Sequence, residues 1–232
     1  MGDNHIIIVT GASSGLGLAT ANSLLGQNFD VIGIDQHSTK ILHTAYTHLE
    51  MDLAQFNEEL IRTELIGGDW FGFIHCAGIS RGGKLGSLSI EDWNRSIDVN
   101  VTSAMRICQL AESEMMDGGR IVLVGSPVGI AGANKPSYAA SKAALHGLTM
   151  SVSRHLGKRG ICVNTVLPGP MITGMTNDWS QEKRLRIAEE TRLNRLAKPD
   201  DIAHVMVQMM GKKWSYMSAS VVDMTCGSMY GH

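Results

Sequence analysis

The sequence predicts an α/β protein, a single doubly wound domain whose parallel sheet carries helices on both faces. Three observations lead there. Short apolar, β-branched runs alternate with segments of helical period along the whole chain. A glycine-rich turn, Thr10-Gly11-Ala12-Ser13-Ser14-Gly15-Leu16-Gly17, joins the first such run to the first helical segment. The 232 residues, 44% of them hydrophobic, show no internal repeat or linker and are enough to bury one core without a disulfide or metal staple.

Taken in order, Ile6–Val9 is an unbroken apolar run, the pattern of a strand buried on both faces. After the glycine turn, Gly15–Leu25 has helical period and Val31–Ile34 reads as a second strand. A weaker strand lies near His48–Met51. The interval before it is too short for a crossover helix with its loops, so Gln36–Tyr46 is expected to be an irregular loop or a single helical turn. Further strands are expected at Phe71–His75, Arg120–Val124, Ile161–Val166 and Ser220–Asp223, giving seven. Further helices are expected at Ala54–Leu65, Ile90–Ile97, Val101–Met115, Ser137–Leu156 and Pro199–Met210. The segment 174–195 falls outside the alternation. Its stretch from Ser180 to Ile187 is helical and highly charged, and it reads either as a lid over a substrate or as a solvated surface helix.

Composition excludes several classes. A net charge of -2 gives no electrostatic reason to expect a nucleic acid or an anionic membrane as partner. No apolar run reaches the length of a membrane span, and the N-terminus lacks the pattern of a signal peptide, so a cytoplasmic location is expected. The four cysteines are widely spaced in apolar stretches and read as free thiols. The nine histidines form no metal-binding motif, so no metal is expected.

The glycine turn carries the first chemical signal. Glycines between a strand and a helix let the backbone approach a pyrophosphate, which the helix N-terminus stabilises. Such turns also cap ordinary helices, but here the strand and the helix are both in place. Asp35 ends the second strand, where a carboxylate meets the two hydroxyls of an adenosine ribose and repels a 2′-phosphate. No Arg or Lys among Ser14, Gln36 and His37 is placed to pair with that phosphate, which points to NAD over NADP. Asp35 could otherwise be a plain strand-end turn residue.

The second signal is Tyr138-Ala139-Ala140-Ser141-Lys142, which puts Tyr138 and Lys142 on one face of a helix at i, i+4. A tyrosine of ordinary pKa, about 10, is too weak a base at neutral pH. A nearby ammonium, with a positive cofactor ring, stabilises the phenolate and makes proton exchange with an alcohol feasible. Isolated pairs of this spacing are common on solvated helices. This one is preceded by Val124-Gly125-Ser126 after a strand.

With these motifs in this order, the chain resembles the short-chain dehydrogenase/reductase family from Thr10 to Tyr230. The resemblance implies a Rossmann fold with strand order 3-2-1-4-5-6-7, a bound nicotinamide cofactor (NAD, by the reading of Asp35), and a small-molecule alcohol or ketone as substrate. It also implies a homotetramer or homodimer built on the helices Val101–Met115 and Ser137–Leu156. Carried over residue by residue, it implies a catalytic set of Asn100, Ser126, Tyr138 and Lys142. Ser126 holds the substrate oxygen, and Asn100, which alone would read as a helix N-cap, holds a water linking Lys142 to solvent. Ser126 stands one residue closer to Tyr138 than in many relatives, so the loop between them is expected to be trimmed. Cofactor contacts are implied at Gly11, Ser13, Ser14, Gly15, Leu16, Gly17 and Asp35, at Asp52 and Leu53 beside the adenine, and at Cys76, Ala77 and Gly78. Tyr138 and Lys142 contribute at the ribose and nicotinamide end, as do Pro168, Gly169, Met171 and Thr173.

The main departure is His75-Cys76-Ala77-Gly78, where the family has two asparagines before Ala-Gly; a changed sheet contact is expected there rather than lost activity. Ile34-Asp35-Gln36 and Met51-Asp52-Leu53 resemble dehydrogenases of cyclic dihydrodiols, which makes a cyclic alcohol one expected substrate. A non-catalytic cofactor sensor would typically lack Tyr138 or Lys142. A nucleotide-sugar epimerase of the extended type would need a larger C-terminal region.

Overall fold

The computed structural model describes residues 5–176 and 178–230. Seven strands form one parallel sheet: β1 Ile6–Thr10, β2 Asp30–Asp35, β3 Tyr46–Glu50, β4 Trp70–His75, β5 Arg120–Val124, β6 Cys162–Pro168 and β7 Val221–Met224. Their order is β3-β2-β1-β4-β5-β6-β7, as the sequence leads one to expect. Among the described residues the α-helices are α1 Gly15–Leu25, α2 Glu58–Leu65, α3 Ile90–Ile97, α4 Ser103–Glu114, α5 Val128–Ala131, α6 Pro136–Leu156, α7 Gln181–Glu189 and α8 Pro199–Met209.

Alternation along each strand builds two cores, one on each face. Ile8, Phe73 and Ile121 point to the face covered by α2, α4 and α6, where they meet Ile61, Ile107 and Leu145. Ile7, Ile74 and Val122 point to the other face, against Leu24 of α1 and Met206 of α8. Because both faces are covered, every residue of β4 and of β5 is buried, which is why these strands read as continuous runs.

Strand order reverses its sense at β1, which lies between β2 and β4: β2 and β3 are added on one side and β4 onward on the other, all parallel. The crevice beyond the C-terminal ends of these strands is the place where such sheets bind ligands. Gly11, Asp35 and His75 stand at or just beyond those three strand ends.

Residues 36–45 contain no helix, as expected from their length. Two helix expectations are corrected. The helix expected over Ala54–Leu65 begins only at Glu58: a 3-10 turn, Leu53–Gln55, comes first, and the Asn57 side chain caps α2 by accepting the Leu60 amide at 3.3 Å. The helices expected at Ile90–Ile97 and Val101–Met115 are not separate, because a π-helical turn, Asp98–Thr102, joins α3 directly to α4.

The chain leaves the sheet after β6 and returns where Met171 bridges Ala197. Within this excursion α7 has no buried residue, while Thr191 beyond it is buried and the Arg192 amide donates to the Cys226 carbonyl at 2.8 Å. Asn177, inside the segment 174–195, lies outside the described residues.

Candidate active site

The glycine turn is shaped by close backbone contact. Gly11 has φ +71°, and a side chain there would meet the Ala77 backbone at 2.9 Å. A side chain at Gly17 would overlap the Gly11 carbonyl, so both positions require glycine. Ser14 is the N-cap of α1 but makes no side-chain capping bond, which leaves the first-turn amides open toward the crevice. Leu16 is buried in the core, while a side chain added at Gly15 would touch the Thr173 side chain at 3.5 Å. The turn after β6 is thereby brought opposite the glycine turn. Met171 packs partly into the core on that side, and Gly169 lies tight against the Thr225 backbone.

Asp35 is buried at the end of β2. Its Oδ2 accepts the Ser13 amide at 3.1 Å, and its Oδ1 accepts from His37 twice, from the backbone amide at 3.0 Å and from ring Nδ1 at 3.1 Å. Asp52 is less free than a cofactor contact would suggest. Its carboxylate accepts the Ala54 amide at 3.0 Å and pairs with Arg95 at 2.8 Å, contacts that hold its pKa below the usual range despite some burial. Leu53 beside it is a buried core residue.

At the other end, α6 begins with Pro136 at its first turn, a position where a missing amide costs nothing. Lys142 is buried and its Nζ donates to the Val124 carbonyl at 2.6 Å; burial pulls its pKa down to about 8. Its Nζ lies 5.9 Å from the centre of the Tyr138 ring. Burial is also the strongest influence on Tyr138 and raises its pKa, while a hydrogen bond with Ser126 works the other way. The lowered tyrosine pKa expected from sequence is therefore not a property of the chain alone. The stretch between Ser126 and Tyr138 is compact: α5 turns there, and Gly129 lies so close to the Lys142 and Ala143 backbone that no side chain would fit.

Asn100 sits in the π turn and is no helix N-cap. Its Oδ1 accepts the Ile79 amide at 2.8 Å, and its Nδ2 donates to the Ile79 carbonyl at 2.9 Å and to Ser141 Oγ at 2.8 Å. Both of its side-chain hydrogens are taken, which narrows the expected water-holding role to its oxygens. A one-turn π-bulge is a common way to aim a helical residue at a functional site.

His75 supplies the changed sheet contact. It is fully buried, and burial, with the Lys142 charge adding to it, depresses its pKa to about 3, so the ring is neutral. Its Nε2 hydrogen goes to the Asn100 carbonyl at 3.2 Å, which leaves Nδ1 to accept the Thr10 hydroxyl at 2.8 Å. Thr10 Oγ1 in turn accepts the Ala77 amide at 3.3 Å. This chain links the glycine turn to Asn100. Sequence reasoning gives Thr10 and Ser141 only as members of the two motifs and assigns neither a role in the site; the signal for this layer is a histidine at a buried strand end. Cys76 lies in this layer with its thiol 3.9 Å from Thr20 Oγ1, and burial pushes its pKa up to about 12, so it is a packed thiol and no nucleophile.

The residues present fit a dinucleotide. Glycine positions line the path, a carboxylate stands at its adenosine end, and a side chain at Gly78 would fill the space 3.2 Å from Lys142 Nζ. Among the described residues no cluster of His, Cys, Asp or Glu could hold a metal ion, and no helix is long and apolar enough to cross a membrane.

Comparison with known proteins agrees with this geometry. Residues 5–184 match the family model described as short chain dehydrogenase. The chain is 30% identical to the 3-oxoacyl-[acyl-carrier-protein] reductase FabG of Salmonella typhimurium, covering 98% of each. It superposes on 4-hydroxyisoleucine dehydrogenase complexed with NADH with a TM-score of 0.88 and 26% identity, covering 99% of this chain and 100% of that one. It also superposes on a blue fluorescent protein from a metagenomic library in complex with NADPH, with a TM-score of 0.86 and 26% identity over 97% and 98% of the two chains.

Proposed function

Because the chain belongs to the short-chain dehydrogenase/reductase family, we propose that it transfers a hydride between NAD(H) and the carbinol or carbonyl carbon of a small secondary alcohol or ketone. The observation that carries this reading is the convergence of Ser126, Tyr138 and Lys142 just beyond the C-terminal end of β5, on the same edge of the sheet where Asp35 ends β2. NAD(H), when bound, supplies the hydride acceptor or donor.

The protein's own residues do the rest. The amides from Gly11 to Gly17 receive the pyrophosphate. Asp35 receives the ribose hydroxyls, Ala77 and Gly78 lie under the adenosine side, and Pro168, Gly169 and Thr173 border the nicotinamide. Ser126 holds the substrate oxygen. Tyr138 takes the alcohol proton during oxidation and returns one during reduction. Lys142 stabilises the phenolate so formed, and Asn100 fixes the floor beneath them through Ser141 and Ile79. The segment 174–195, with exposed Leu185 and Leu193 and a base tied at Arg192, acts as the substrate lid. The chain assembles as a dimer or tetramer through α4 and α6, whose shared outer groove is lined by Met105, Gln109 and Val152.

A second reading follows from the relative that reduces 3-oxoacyl groups on a carrier protein: the ketone could be a 3-oxoacyl thioester. One experiment covers both. Cyclic diols, secondary alcohols, simple ketones and 3-oxoacyl thioesters are assayed by NADH absorbance. The proposal expects turnover in at least one class, abolished by Tyr138→Phe; turnover that survives this change would overturn it.

A further inference from the structure

The Asp35 carboxylate has fewer free positions than its proposed task needs. An ionised carboxylate has about four acceptor positions, two on each oxygen. Here Oδ1 accepts both the His37 amide and His37 Nδ1, so it is full, while Oδ2 accepts the Ser13 amide and keeps one position open. A ribose with two vicinal hydroxyls that binds both oxygens needs an open position on each.

The His37 backbone is held from two sides. Its carbonyl accepts Ser13 Oγ at 2.8 Å from the glycine turn and His48 Nε2 at 3.0 Å from β3. His48 is in turn oriented by the Tyr46 hydroxyl, 3.2 Å from its Nδ1. The His37 side chain is different, with 73% of its surface exposed. The ring alone is free to leave.

We propose that His37 is a specificity-determining residue: its ring occupies the Asp35 position that a ribose hydroxyl must take, and it competes with NAD(H) for that carboxylate. This rests on the reading of Asp35 as the ribose acceptor. With the ring in place the carboxylate binds one hydroxyl; with the ring swung out it binds two. A 2′-phosphorylated cofactor, which the carboxylate repels, gains nothing from the ring's departure and loses a hydrogen-bond donor facing its phosphate. His37 therefore holds the preference for NAD(H) below what Asp35 alone would set.

The test is a double-mutant cycle read as binding, with Kd for NADH and for NADPH measured by cofactor fluorescence on wild type, His37→Ala, Asp35→Ala and the double variant. His37→Ala is expected to tighten NADH about two- to tenfold, the worth of one hydrogen bond at a partly exposed site, and to leave NADPH unchanged or weaker. In the Asp35→Ala background, removing the ring is expected to have no effect on NADH. Unchanged or weaker NADH binding in His37→Ala would overturn the proposal, as would equal tightening with and without Asp35. A wild type that binds NADPH more tightly than NADH defeats the reading of cofactor choice instead, because the cycle on NADH still reports the His37–Asp35 coupling.

Discussion

The two ends of the crevice are built differently. At the proposed reacting end Lys142, Asn100, Ser141 and His75 are buried, and each is held by protein hydrogen bonds. At the proposed adenosine end Asp35 is buried, but its surroundings are the irregular residues 36–45 and an exposed histidine ring. One end is over-determined by packing, and the other is set by three hydrogen bonds at a part-buried strand end, from the Ser13 and His37 amides and the His37 ring. The first suits chemistry that requires fixed geometry; the second suits discrimination between two cofactors that differ by one phosphate.

If the reacting end is a rigid unit, disturbing it should cost most. Tyr138→Phe is expected to lower kcat by at least about a hundredfold, within the usual worth of general acid–base catalysis, while NADH affinity is retained. Kinetics and fluorescence titration check both halves, and more than a tenth of wild-type kcat in the variant would break the assignment.

Lys142→Met tests the electrostatics of the same end. Oxidation needs the deprotonated tyrosine, so it switches on as pH rises through the effective tyrosine pKa. Burial already raises that pKa. Removing the ammonium raises it further, so the onset in a pH profile should move to higher pH by about one unit or more. An onset that stays in place or moves lower would separate Lys142 from proton transfer.

His75 sharpens the contrast through stability. Its folded pKa is near 3, below the ordinary 6.5, so between those values the unfolded chain binds a proton that the folded chain does not. Stability is therefore expected to fall as pH drops from about 6.5 toward 3, by at most about 1.4 kcal/mol per unit from this group. His75→Asn should flatten that part of the curve of denaturation midpoint against pH; an unchanged slope would remove His75 as its source.

The smallest effect is expected in the segment 174–195. If it closes over substrate, amide exchange around α7 should be fast in the free protein and slow when cofactor and substrate are both present. Slow exchange that ligands do not alter would make α7 a fixed surface helix.

How far the sequence reveals each end follows from the same difference. The strands buried on both faces are apolar runs, so their positions along the chain, and those of Gly11 and Asp35 at their ends, are readable, while their order in the sheet follows only from the family resemblance. Tyr138 and Lys142 were readable because i, i+4 spacing on a helix is a geometric statement. The π turn at Asp98–Thr102 was not, because no residue pattern separates it from two helices meeting; it is stabilised by long-range bonds from Asn100 to Ile79 and Ser141. The late start of α2 had a local cause, the Asn57 cap, that the helical period of Ala54–Leu65 concealed. The bonds of His75 to Thr10 and Asn100 span 65 and 25 positions, and those of Asp35 depend on how a loop without regular structure folds back.

Cofactor choice decides whether the protein carries out NAD(H)-dependent chemistry at a carbinol or carbonyl carbon. If Asp35 receives the ribose as proposed, charge-assisted bonds to the diol and repulsion of a 2′-phosphate are together expected to favour NAD(H) by about 2.7 kcal/mol or more, even with the His37 ring in competition. The measurement is kcat/KM for NADH and NADPH with one turned-over ketone, on wild type, Asp35→Ala and Asp35→Ala with Ser14→Arg. The account predicts at least about a hundredfold preference for NADH in wild type, largely lost in the first variant and inverted in the second. Equal values for the two cofactors in the unmodified protein, or a preference for NADPH, would contradict it.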